Sequence, residues 1–136
     1  MRLSIYLDID PPTATAQEQK TTVRGGVPRK YDPPKVKEAK KILEDALAEY
    51  RPDAPLDGPI ALYVEWRFPT GRSHSDGEWR ITRPDLDNLQ KGLRDCLTRL
   101  GFWVDDSRVC VELAKKTWSA IPGVYIEIEE IGGGPK

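Results

Sequence analysis

The stretch "RPDLDNLQKGLRDCLTRLG", residues 83–101, carries the clearest periodicity in the chain and decides how the rest of the fold is interpreted. Asp85 directly follows Pro84 and suits the N-cap position of a helix, and Gly101 suits the position after its C-terminus. The apolar side chains recur on one face at helical spacing, at Leu86, Leu89, Leu93, Cys96, Leu97 and Leu100. The pattern predicts an amphipathic helix from about Asp85 to Gly101.

Alternating apolar residues on both sides of this helix predict β-strands at residues 3–9, 60–68, 109–113 and 124–128. The last two are expected to form a closing antiparallel hairpin, the first of them as a buried strand. A second helical stripe runs from about Pro34 to Tyr50, and a long basic loop with room for a short strand precedes it. The sequence therefore predicts a single small α+β domain over residues 1–130, with an antiparallel or mixed sheet packed against two main helices. Residues 131–136 are expected to form a flexible C-terminal tail.

Composition narrows the functional classes. The 136 residues suit one domain, and 21 basic against 22 acidic residues give a net charge of −1, so the overall charge does not announce a nucleic-acid partner. Cys96 and Cys110 lie among apolar neighbours, and we assign them, with Trp66 and Trp118, to the core or its edge. With no signal-peptide pattern and no apolar run of membrane-spanning length, we expect a cytoplasmic protein without a membrane partner or a nucleotide cofactor.

Two pairs of aspartates border the central helix. Asp85 and Asp87 lie at its start, and Asp105 and Asp106 follow its end. Helix capping by Asp85, a favourable interaction of the Asp87 carboxylate with the helix dipole, and an i, i+4 ion pair from Asp87 to Lys91 could explain the first pair alone. Clustered carboxylates also suit Mg²⁺ or Mn²⁺, and a nearby lysine would stabilise negative charge in phosphodiester hydrolysis.

Other metals fit this pattern less well. One histidine and two apolar-flanked cysteines do not supply a zinc site. The segment "DLDNLQK" lacks the third oxygen ligand and the glycine of an EF-hand loop.

The predicted helix creates a geometric problem, because about 22 Å of helix would separate Asp85 from Asp106 in one chain. Three solutions are open. The segment after Gly101 folds back along the helix, the helix begins later than predicted, or two chains pair antiparallel and share each site. We favour the third solution, in which a homodimer carries two symmetric sites.

The stretch "RPDLDNLQKGLRDCLTRLGFWVDDSRV" resembles the RusA family of Holliday junction resolvases, small endonucleases often carried by phages and prophages. The resemblance rests on D-x-D-N-x-x-K, an apolar helix, a glycine at its end and a D-D pair about twenty residues on. It implies a dimeric endodeoxyribonuclease that resolves four-way DNA by paired symmetric incisions with Mg²⁺ or Mn²⁺, in recombination and repair. It also implies catalytic metal ligands at Asp85, Asp87 and Asp106, a further metal ligand at the neighbouring Asp105, and a catalytic role for Lys91.

DNA contacts are expected from local patches, since the family's DNA-binding surface is basic and this chain is not basic overall. Trp79 is a candidate for stacking on an unpaired base. The expected contact residues are Lys20, Arg24, Arg29, Lys30, Arg72, Trp79, Arg80, Arg83, Lys115 and Lys116.

The alternative is a non-catalytic branched-DNA-binding or phage accessory protein, in which the aspartates only cap helices. The two hypotheses differ in their expectation for Asp87→Asn, which would abolish cleavage in a nuclease and change only stability in an accessory protein.

Overall fold

A computed structural model describes residues 1–15, 20–24, 26–31 and 33–132, and only the backbone of residues 20–24 and 29–31. Most of the predicted tail, residues 133–136, lies outside the described part. Two helices and six strands follow one another along the described residues. They are β1 (Arg2–Leu7), β2 (Lys20–Arg24), β3 (Val27–Tyr31), α1 (Pro34–Ala48), β4 (Ile60–Pro69), α2 (Leu86–Arg99), β5 (Val109–Ser119) and β6 (Gly123–Glu130).

The strands form one mixed sheet and one separate hairpin. The sheet has the order β1-β6-β4-β5, in which β6 is antiparallel to both of its neighbours and β4 is parallel to β5. The strands β2 and β3 pair with each other, so the predicted basic loop contains a hairpin. The predicted small α+β domain with a mixed sheet and two helices is confirmed.

The core lies between the two helices and one face of the sheet. Alternate residues of β4, from Ile60 to Phe68, are fully or almost fully buried, as their period-two pattern predicts. The helix α2 contributes its predicted leucine stripe and Cys96, and α1 contributes Leu43 and Leu47. The intervening residues of β4 are partly exposed, and three of them, Tyr63, Glu65 and Arg67, are polar, so this face of the strand is not part of the core.

The predicted hairpin between residues 109–113 and 124–128 is wrong. The strands β5 and β6 lie on opposite sides of β4, and α2 is the crossover that makes β5 parallel to β4. Alternation predicts which residues share a face, but it does not say which strands pair. The buried residues of β6 are fully covered between β1 and β4, whereas β5 remains at the edge.

Edge position also corrects two expectations about β5. Val111 is 53% exposed and Leu113 is 62% exposed, so the first half of β5 is not the buried strand that the alternation predicts. Cys110 is exposed rather than part of the core, while Cys96 and Trp66 are buried as predicted. Trp118 is partly buried against the core. Among the described residues, neither helix is long and apolar enough to cross a bilayer.

Candidate active site

The start of α2 presents three charged side chains to solvent. Asp85 has the extended backbone of an N-cap residue, but its side chain makes no capping hydrogen bond. Asp87 lies in the first turn, and Lys91 lies one turn later; all three are exposed. Lys41 and Asp45 of α1 form an i, i+4 ion pair at 2.9 Å, but no such pair joins Asp87 to Lys91 in the described part of the chain. Of the structural explanations, the structure supports only the favourable interaction of the Asp87 carboxylate with the helix dipole in the first turn of α2.

A buried polar contact attaches the first half of α2 to the sheet. The indole nitrogen of Trp66 donates to the Oε1 atom of Gln90 at 2.6 Å, and both side chains are buried. The amide nitrogen of Gln90 donates in turn to Glu112 of β5 at 2.9 Å, and Arg94 donates to the same carboxylate at 2.8 Å. Sequence reasoning missed Gln90 and Glu112, although a glutamine beside the leucine stripe was a signal. These bonds set the rotation and position of the turn that carries Asp87 and Lys91.

The second aspartate pair lies in a short segment after α2. Asp105 caps a single 3₁₀ turn over Asp106–Arg108, accepting a hydrogen bond from the backbone nitrogen of Ser107 at 3.0 Å. This contact with Ser107 lowers the pKa of the exposed Asp105 carboxyl. Asp106 is partly exposed and follows directly. The described contacts give Asp105 a structural function that they do not give Asp106.

Along the chain, α2 lies between the two aspartate pairs, and the turn at Asp106–Arg108 contacts the helix. The 14 residues of the helix span about 21 Å. The strand β5 does return along α2, but it brings Lys116 to the residues before Asp85, not Asp106. Within the described residues, no group of three or more His, Cys, Asp or Glu side chains could hold a metal ion. The segment after α2 therefore returns along the helix without forming a metal-binding group with Asp85 and Asp87, and α2 begins where it was predicted to begin.

The predicted DNA-contact residues fall into three groups. Arg72, Arg83 and Trp79 are exposed on the segment between β4 and α2, and Trp79 is 64% exposed. Lys115 is on the open face of the sheet, 3.9 Å from a carboxylate oxygen of Glu65. The side chains of Lys20, Arg24, Arg29 and Lys30, in the β2–β3 hairpin, lie outside the described part.

The remaining two predicted contact residues, Arg80 and Lys116, are directed inward. The Arg80 guanidinium lies over the rings of Phe68 and Trp118, and burial lowers the pKa of this side chain. The Lys116 ammonium donates to backbone carbonyls, and burial followed by the nearby Arg80 charge lowers its pKa. Both cations are therefore engaged within the chain, close to Asp85.

The sequence that forms this sheet, this helix and its aspartates is similar to sequences of known proteins. The family model described as Endodeoxyribonuclease RusA matches residues 10–129, most of the chain. The chain belongs to the RusA family. The resemblance predicted from the motif is therefore confirmed, and membership supports the predicted enzyme class of endodeoxyribonucleases.

Individual relatives in the RusA family differ in how much of the chain they match. The uncharacterized protein YqaN of Bacillus subtilis is 29% identical over 121 residues, 81% of this chain and 84% of that protein. The crossover junction endodeoxyribonuclease of Lactococcus phage r1t is 36% identical over 73 residues, 54% of this chain and 56% of that protein. The crossover junction endodeoxyribonuclease RusA of Escherichia coli K12 is 40% identical over 69 residues, 51% of this chain and 46% of that protein. The chain thus aligns with about half the length of the two named nucleases.

Proposed function

We propose that this chain is a metal-dependent endodeoxyribonuclease that resolves four-way DNA junctions by paired symmetric incisions in recombination and repair. Membership of the RusA family supports the reaction class, and the names of the phage and bacterial relatives support the substrate class. The observation that carries the proposal is the placement of two exposed aspartates, Asp85 and Asp87, at the start of α2, with the exposed Lys91 one turn later. The phage relative supports a phage or prophage association.

The proposed metal ligands are Asp85, Asp87 and Asp106, with Asp105 beside them. An all-carboxylate set of this kind suits Mg²⁺, with Mn²⁺ able to substitute. When bound, the ion would polarise the phosphodiester and lower the pKa of a water molecule. The charge of Lys91, exposed one turn from Asp87, would stabilise the negative charge that builds on the phosphate. Water would be the nucleophile.

The separation of the two aspartate pairs supports a site shared between two copies of the chain. The strand β5 is at the edge of the sheet, and among the described residues the segment from Gly77 to Arg80 covers its second half but not its first. The backbone oxygen of Lys116 points outward to that segment, so alternation directs the backbone groups of Glu112 and Ala114 the same way. The first half of β5 is therefore available to pair with another strand.

Antiparallel pairing of this edge with its own copy would complete the site. In a register centred on Val111, Val109 of the second copy, the first residue of its β5, would lie opposite Leu113. The turn that carries its Asp106 would then lie beside Arg80 and the Lys116 contacts with the carbonyls before Asp85. A twofold axis through Val111 would also place the two α2 helices on the same face of a continuous sheet and antiparallel to each other. We propose this homodimer as the active form.

Mixing two inactive variants tests the shared site. In a dimer of one Asp85→Asn chain and one Asp106→Asn chain, one site carries both substitutions and the other carries neither. Random re-equilibration should therefore restore about a quarter of the sites, with single nicks in place of paired ones. If the mixture stays as inactive as its components while both variants still dimerise, each site belongs to one chain.

We propose that two groups of residues contact the arms of the junction. They are the side chains on the sheet and the segment before α2, namely Arg72, Arg83, Trp79 and Lys115, and the four basic residues of the β2–β3 hairpin. Binding through such side chains is expected to weaken as salt rises. Because Asp87→Asn removes a negative charge near the phosphate, this variant should bind the junction as tightly as the wild type or more tightly.

The experiment that tests the function is cleavage of a labelled synthetic four-way junction against linear duplex, with Mg²⁺ and with chelator. Paired symmetric nicks in the junction alone, lost with chelator and in Asp87→Asn, are the expected result. Asp95→Asn is the matched control, since it removes the same charge from an exposed position two turns along α2. A protein that binds the junction but leaves it uncut with either metal would instead be a non-catalytic accessory protein.

A further inference from the structure

The segment before α2 is fastened to the second half of β5. The backbone nitrogen of Gly77 donates to the carbonyl of Trp118 at 2.8 Å, and the nitrogen of Trp118 donates to the carbonyl of Glu78 at 2.8 Å. The nitrogen of Arg80 donates to the carbonyl of Lys116 at 3.2 Å. These bonds hold the segment up to Arg80 in place, but they end five residues before Asp85.

Two basic side chains hold the residues that follow. The ammonium group of Lys116 donates to the carbonyls of Thr82 and Pro84 at 2.7 Å each. The Nε atom of Arg80 donates to the intervening carbonyl of Arg83 at 3.2 Å. The three consecutive carbonyls that precede Asp85 are therefore all bound by cations.

Both cations are themselves fixed by the sheet. The guanidinium carbon of Arg80 lies 4.1 Å from the ring centre of Phe68 and 4.4 Å from that of Trp118. His74 stacks on Trp118, with ring centres 3.7 Å apart, and its Nδ1 atom is 2.6 Å from a carboxylate oxygen of Glu78. The position of each carbonyl is thus determined by β4, β5 and a stack of flat side chains.

The surroundings of Lys116 and Arg80 differ from those expected for cations that bind DNA. A lysine or arginine at a DNA-binding surface gains most when its charge faces phosphate in solvent. Here both cations are partly buried and bind carbonyls that carry only partial charge, and Lys116 lies within electrostatic range of Arg80 and of Asp85. Metal ligands, by contrast, require positions held within fractions of an ångström, which a loop without such contacts does not provide.

We propose that Lys116 and Arg80 are positioning residues for Asp85, acting through the backbone of residues 82–84 and not through contact with DNA. The proposal rests on the proposed metal site at Asp85. It predicts that loss of the Lys116 contacts weakens metal binding more than junction binding. Removal of partners that orient a metal ligand typically weakens metal affinity by about tenfold or more.

The test compares Lys116→Met with Lys115→Met. The two substitutions remove the same charge from adjacent residues, but Lys115 lies on the open face of the sheet beside Glu65. Lys116→Met is expected to raise the metal concentration for half-maximal junction cleavage by about tenfold, with little change in junction affinity in chelator. Lys115→Met, at a proposed junction contact, is expected to weaken junction binding and, at saturating junction, to leave the half-activating metal concentration unchanged.

Hydrogen exchange supplies a readout that does not depend on cleavage. In Lys116→Met, the amides of residues 82–89 should exchange faster than in the wild type, and in Lys115→Met they should not. Unchanged exchange and an unchanged metal requirement in Lys116→Met, with weaker junction binding and a shallower salt dependence, would overturn the proposal in favour of a phosphate contact. If the wild type shows no metal-dependent cleavage, the proposed function fails, and the exchange data still decide whether the contacts position this segment.

Thermal denaturation shows first whether each variant is folded. If Lys116→Met does not fold, Arg80→Lys tests the other contact, because it keeps the charge and removes the flat group stacked on Phe68 and Trp118. Arg80→Lys is expected to raise the half-activating metal concentration in the same direction. An unchanged metal requirement in a folded Arg80→Lys variant would contradict the proposal.

Discussion

The hydrogen bond from Trp66 to Gln90 offers a quantitative test of how α2 is held on the sheet. Trp66 is 0% exposed and Gln90 is 4% exposed, so Gln90→Leu would leave a buried indole N–H without an acceptor. An unsatisfied buried donor costs about 1–3 kcal/mol, and we expect Gln90→Leu to lower the free energy of unfolding by about 2 kcal/mol. Glu112 also loses a donor, but it is half-exposed and keeps Arg94 as its partner.

The background substitution Trp66→Phe isolates this bond. Trp66→Phe is itself destabilising because it leaves a cavity, yet it removes the N–H that Gln90 satisfies. In that background Gln90→Leu should cost about 1–2 kcal/mol less than it costs in the wild type. Urea unfolding monitored by circular dichroism measures the wild type, each single variant and the double variant. Glu112→Gln is the control for the hydrogen bond from Gln90 to Glu112. An equal cost of Gln90→Leu in both backgrounds would show that the bond does not anchor the helix.

Three further predictions follow from burial and from displaced pKa values. Leu93→Ala, at a fully buried position of α2, should lower the free energy of unfolding by about 2–5 kcal/mol. Ile81→Ala, at a position that is 92% exposed, should change it by less than about 0.5 kcal/mol. Chemical denaturation of the two variants measures both changes. Burial raises the pKa of the Cys96 thiol to about 11, so a thiol reagent at pH 8 followed by mass spectrometry should label Cys96 only after unfolding, and labelling in the native protein would contradict its burial. Burial, with the Glu65 carboxylate, raises the pKa of Tyr63 to about 12. Its contribution to the free energy of unfolding is therefore complete below about pH 10 and is lost as pH rises from about 10 to about 12. Over that range Tyr63→Phe should lose less stability than the wild type, and equal losses would refute the assignment.

Much of the local structure could be predicted from the sequence because it depends on short-range periodicity. The helix that follows Asp85 was predicted within two residues at either end, since a leucine stripe and a terminal glycine are local signals. The strand β4 was predicted for the same reason. The aspartate motif at the start of α2 was also visible and led to the correct family.

Pairing between strands depends on contacts between distant residues, and the sequence did not predict it. An alternating strand is compatible with a central or an edge position, so Val111 and Cys110 could not be recognised as exposed. Which neighbour each strand takes depends on the crossover through α2 and on the whole area of β4 that becomes buried. A hairpin between consecutive strands was the simplest local solution, and the fold does not adopt it.

The candidate site could likewise be predicted only where it depends on local sequence. The sequence by itself determined which residue types are available, namely aspartates at both ends of one helix and a lysine one turn from the first pair. Only the tertiary structure decided that these aspartates form no metal-binding group among the described residues of one chain, and that Lys116 and Arg80 bind the carbonyls before Asp85. The physical reason is that chemical identity and helical period are properties of neighbouring residues. The direction of a charged side chain, by contrast, depends on partners that lie more than thirty residues away in the chain.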